Sequence, residues 1–192
     1  MGISEVILKP IDCILALSIP CSKKSFVKNL NSGHEIDFTK RNLLRMHEHE
    51  FVKPTKKTIK SISNKGVQIF FDFTFNDLTL VLKNEFKVLF LFAHNINDRI
   101  ELYDGLYDIA TIMDCMPNDK VFILDLNVCF CDNLALLIGA NRTNILVKYG
   151  QVRKTIPLYW ILFYEYFFEL INQRQLNYFD AMQITFNKFS KI

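Results

Sequence analysis

Residues 87–96 read KVLFLFAHNI. Five apolar residues and an alanine run without alternation, then stop on His94 and Asn95. A short run of this kind marks a strand buried on both faces, as in a parallel sheet covered by helices. An imidazole at the end of such a strand is either a polar terminus bonded to nearby carbonyls or a proton-transfer group at the mouth of a site. The other histidines, His34, His47 and His49, fall in the first fifty residues, so His94 stands alone in the apolar part of the chain.

The neighbouring segments extend the pattern. Upstream, GVQIFFDF (66–73) predicts a strand and TFNDLTLVLKN (74–84) a helix, with Leu78, Val81 and Leu82 at helical spacing. Downstream, YDGLYDIATIMDCM (103–116) predicts a helix stopped by the Pro117-Asn118-Asp119 turn, and KVFILDLNVC (120–129) a strand. DNLALLIGA (132–140) predicts a short helix, NILVKYG (144–150) a strand, and 156–172 and 177–190 two further helices. DCILALSIP (12–20) predicts the first strand, closed by Pro20. Apolar strands alternating with helices argue for an α/β fold, a three-layer sandwich with a mostly parallel sheet flanked by helices. Sites in such folds lie outside the carboxyl ends of the strands, where His94 and the segment Asn127–Cys131 both fall. His94 and Cys129 are 35 residues apart with one helix between them, the arrangement of adjacent parallel strands in a βαβ unit.

Residues 21–66 differ: they are Lys-rich and predict a loop with one helix around TKRNLLRMHEHEF (39–51), capped by Thr39. KPTKKTIK (53–60) predicts a solvated charged face. The pair His47 and His49 lacks the HExxH spacing and an evident third ligand, so no metal is expected there.

Composition sets the outer bounds. At 192 residues, half of them hydrophobic, the chain predicts a single folded domain, 1–192, whose regular core begins at residue 67. A net charge of +3 on dispersed basic residues predicts no nucleic-acid partner. Cys13, Cys21, Cys115, Cys129 and Cys131 form no framework, which predicts reduced thiols in a cytoplasmic protein. CILALSIPC (13–21) lacks the positive flank and cleavage site of a leader, and the aromatic run 156–171 contains Glu165 and Glu169, so a soluble protein without membrane segments is expected. That aromatic run predicts a core helix with a second face to bury against another chain, which suits a homodimer. No Walker A, GxGxxG or GxSxG pattern occurs.

Four pieces of the chain between Val67 and Phe189 resemble the caspase-like fold, and within it the prokaryotic CHAT peptidases. VQIFFDFTFNDLTLVLKNEFKVLFLFAH (67–94) is similar to the strand, helix and strand that lead to the family's catalytic histidine. IELYDGLYDIATIM (100–113) resembles the polar turn and helix that follow, and KVFILDLNVC the strand that delivers the cysteine. GANRTNILVKYGQV (139–152) and FYEYFFELINQRQLNYFDAM (163–182) resemble the Gly-Ala strand and the C-terminal helices. The resemblance covers about two-thirds of the chain by order of elements and leaves 21–64 unexplained. It implies a cysteine endopeptidase in which His94 is general base and acid and Cys129 the nucleophile. It further implies a role in regulated proteolysis in defence or stress, a protein or peptide substrate and a regulatory protein partner. Such a dyad needs no metal or organic cofactor.

The departures are specific. The family has Gly after the histidine, with a backbone N–H in the oxyanion hole; this chain has Asn95. The cysteine register has three solutions. Aligning Leu126-Asn127-Val128-Cys129 with Leu-Ser-Ala-Cys selects Cys129. Aligning Asp125-Leu126-Asn127 with Asp/Ser-Ala-Cys puts Asn127 at the nucleophile position and makes the chain an inactive binding or scaffold module. Cys131 is the third candidate. Residues 125, 127, 129 and 131 share one face of a continuous strand, so the point where the strand stops decides among them.

Overall fold

The computed structural model describes residues 2–19, 47–128, 131–149 and 157–190. Its strands are β1 (Cys13–Leu17), β2 (Gln68–Phe71), β3 (Val88–Ile96), β4 (Arg99–Leu102), β5 (Gly105–Asp108), β6 (Phe122–Val128) and β7 (Ile145–Tyr149). The helices are α1 (Lys53–Ser63), α2 (Phe75–Val81), α3 (Ile109–Asp114), α4 (Asp132–Asn141), α5 (Pro157–Gln173) and α6 (Tyr178–Phe189). The protein is α/β. The parallel strands run β2-β1-β3-β6-β7, and the antiparallel hairpin β4-β5 continues from the far end of β3.

The unbroken apolar runs have their cause in two cores, one on each side of the sheet. Leu89, Leu91 and Ala93 of β3 and Phe122, Leu124 and Leu126 of β6 face a cluster closed by α2, α3 and α4. Val88, Phe90 and Phe92 face the opposite cluster, built by α1, α5 and α6. Phe90, with no exposed surface, packs edge-on against the rings of Tyr164, Phe167 and Phe168 at 4.9–5.5 Å. Helix–sheet–helix layering follows from this burial on both faces.

Two elements depart from expectation. Lys53–Ser63 is an α-helix, not a solvated loop. Thr55, Thr58, Ile59 and Ile62 are its buried residues, at helical spacing, and the lysines occupy the other face. Pro54 stands at its start, where a missing N–H is tolerated, and a π turn over His47–Val52 precedes it. The helix expected over 39–51, capped by Thr39, falls through residue 46 outside the described residues. The helix expected from Tyr103 starts only at Ile109, because 99–108 form the hairpin β4-β5. β3 therefore continues past His94. Its turn is Asn97-Asp98, with φ of 52° and 59°, the two left-handed residues of a two-residue hairpin turn for which Asn and Asp are suited.

Candidate functional site

β3 and β6 are in parallel register from Val88↔Ile123 to Ala93↔Val128. His94 and Cys129 are the next residues of the two chains; Cys129 itself lies outside the described residues. Beyond Phe92, β1 has ended and Ser18 N–H donates to the Phe92 carbonyl at 2.8 Å. The hairpin occupies that side. Tyr103 N–H donates to Phe73 O at 2.9 Å, and Phe73 N–H in turn donates to Leu17 O at the end of β1. His94 is half-buried and directly opposite Glu101 of β4. A carboxylate-bearing strand thus flanks it on one side, and on the other the described part of β6 ends one level below, at Val128 opposite Ala93.

Asn95 is the next ladder residue, opposite Ile100, and its backbone is outside the left-handed region. At this position an extended strand replaces the turn, so the conformational freedom of glycine is not required.

Below the rim, the same face of β6 carries Asn127 and Asp125. Asn127 pairs in register with Phe92 and Asp125 with Phe90. Asp125 has no exposed surface. A carboxylate at that depth requires a counter-charge and donors to each oxygen. Lys148, its neighbour across to β7, donates to Oδ1 at 2.9 Å, and the hydroxyls of Tyr164 and Tyr178 donate to Oδ2 at 2.7 Å each. The Asn127 amide reaches Oδ1 at 3.4 Å, and its Oδ1 lies 3.0 Å from the Tyr164 hydroxyl. The Lys148 ammonium also sits 5.7 Å from the ring centres of Tyr164 and Phe186 and 5.9 Å from that of Trp160. Burial first, then the Asp125 charge, pushes both tyrosine hydroxyls well above their ordinary value, so they remain protonated donors.

Two of the described thiols, Cys13 and Cys115, are held protonated by burial. Cys13 in β1 has no exposed surface, and burial raises its thiol far above the ordinary cysteine value. Burial pushes Cys115 up to about 11. Cys131 precedes α4, is 1% exposed, and packs in the cluster with Leu134, Ala135 and Ile138 on the other side of the sheet from Asp125. Cys21 lies outside the described residues. Among the described residues, no three His, Cys, Asp or Glu side chains gather as a metal site, and no helix is long and apolar enough to cross a membrane.

The sequence places His94 and Asn95 at one strand end and Asp125, Asn127, Cys129 and Cys131 along the next; the register sets Asn127 opposite Phe92, two residues before His94, and Cys131 falls in the opposite core. The sequence reading missed Glu101, Lys148, Tyr164 and Tyr178. A signal existed for Lys148: it is a lone charge in the apolar strand ILVKY, as Asp125 is in FILDLNV. Neither the protein-family models nor the curated proteins compared with the chain give a match.

Proposed function

We propose that the chain is a CHAT-like cysteine endopeptidase of the caspase-like class, hydrolysing peptide bonds through His94 and Cys129. The observation that carries this reading is the ladder register: the last paired residues of β3 and β6 are Ala93 and Val128, and the residues that follow them in sequence are His94 and Cys129. Cys131 is buried in the core on the other side of the sheet, which argues against it as the nucleophile, and Asn127, the residue that the inactive register puts at the nucleophile position, is tied into the Asp125 network within β6.

In this reading the imidazole accepts the thiol proton and the thiolate attacks the scissile carbonyl carbon. As the C–S bond forms, the carbonyl oxygen becomes an oxyanion held by backbone N–H groups near residues 95 and 129. The imidazolium protonates the leaving amine as the C–N bond breaks. The same imidazole then deprotonates a water that attacks the thioester, releasing the acid and restoring the thiol. The substrate is a protein or peptide, and a regulatory protein governing access fits a cytoplasmic defence or stress pathway.

At neutral pH, a peptidyl chloromethylketone or iodoacetamide should label Cys129 ahead of the other four cysteines by peptide mapping, and His94→Ala should suppress that labelling. Uniform labelling of all five, or none, would overturn the protease and leave a catalytically inactive binding module.

A further inference from the structure

The antiparallel ladder beyond the parallel sheet puts His94 directly across from Glu101. Side chains at directly opposed positions project on the same face, with Cβ atoms about 4.5–5.5 Å apart, within reach of a carboxylate–imidazole hydrogen bond. Both residues are half-buried, where such a contact is less screened than at an open surface. We infer that Glu101 is a positioning residue for His94, its carboxylate accepting one imidazole N–H so that the other ring nitrogen faces the β6 side. This rests on the dyad proposed above and supplies its third member, the group that orients the base.

The surroundings favour the role. On the far side of β4, Glu101 lies opposite Leu106, which offers it no competing charge. Arg99, two residues away on the same face, lies opposite Asp108, whose carboxyl is held below its ordinary value by hydrogen bonds from Thr111 first and by the Arg99 charge to a smaller extent. Further down this face, Asp125 is matched by Lys148, and the packed helix α5 brings neutral Tyr164. The carboxylate's backbone is fixed as well. Asp104 accepts the Phe75 N–H at 3.0 Å, and Tyr107 stacks on Phe75 at 4.6 Å, binding the hairpin to the start of α2.

Glu101→Gln keeps the shape and removes the charge. In the full chain, NMR titration of His94 should show its imidazole losing its proton at lower pH in Glu101→Gln than in wild type, with Glu101→Asp intermediate. Cys129 alkylation near neutral pH should slow roughly ten- to a hundred-fold in Glu101→Gln, by analogy with carboxylates that orient metal-bound histidines. An unchanged His94 titration, with alkylation still dependent on His94, would overturn the positioning role and leave the dyad intact. Alkylation indifferent to His94→Ala would overturn the dyad and the role with it, whatever the titration showed.

Discussion

Asp125 and Lys148 form a charge pair that the core tolerates only as a pair. Asp125 is fully buried, and the Lys148 side chain is 16% exposed. Removing one partner leaves the other's desolvation unmatched, so Lys148→Met should destabilise the fold by about 3–5 kcal/mol. Asp125→Leu combined with Lys148→Met should recover most of that loss. Urea unfolding of the two single variants and the double variant measures both numbers; additive losses would show that the residues do not act together. The two lone mid-strand charges are visible in the sequence, and Asp125 was already singled out there. Their partnership was not legible, because it depends on β6 and β7 being neighbours in a register that matches residue 125 with 148. Tyr164 was hidden for a related reason: in an aromatic run such as YWILFYEYFF, nothing local says which hydroxyl will meet a carboxylate.

At the level of elements, the β3-β4 turn carries the most consequence for the site, since a slip of one residue would turn Glu101 to the opposite face. Asn97 and Asp98 hold left-handed backbones, which a β-branched residue resists. Asn97→Val should lower stability by about 1–2 kcal/mol, read as a fall in thermal midpoint, and Asn97→Gly should be neutral or better. A Val variant as stable as wild type would contradict the turn. The sequence obscured this hairpin because Leu106, Ile109, Ile112 and Met113 also satisfy helical spacing, and because alternation in RIEL is only four residues long. The helix α1 was obscured differently. Two of its four buried positions are threonines, so its apolar stripe is weak by composition though clear by spacing. The parallel strands and the long aromatic helix α5, by contrast, were legible because their hydrophobicity is continuous enough to leave one solution.

For the molecule as a whole, three buried acids that stay protonated set a limit at high pH. Cys13, Tyr164 and Tyr178 all have values raised on folding, above ordinary values of 9.0 for the thiol and 10.0 for the phenols. An acid whose value rises on folding binds its proton more tightly in the native state, so its stabilising contribution is complete below the unfolded value. It is lost as pH climbs beyond that value towards the folded one. The urea midpoint should therefore hold up to about pH 9 and decline steadily above it. The decline should be shallower in Tyr178→Phe, whose ring keeps its packing against Phe90 and Phe167 but has no proton to lose. A midpoint flat to pH 11, or the same slope in the variant, would show that these groups do not govern the alkaline limit.

β3 belongs to two ladders in succession: β1 holds it through Phe92 and β6 through Ala93, and β4 holds it from His94 onward. The imidazole therefore sits on a splice, where the strand changes partners without a gap. Local opening of loops sets the pace of motion around many strand-end sites. Here the backbone under the histidine runs directly from the central strand into the β4 ladder, so opening at His94 pulls on the strand that both cores bury. If the chain is the protease proposed above, motions that admit a substrate should come from the surrounding segments more than from the backbone under His94.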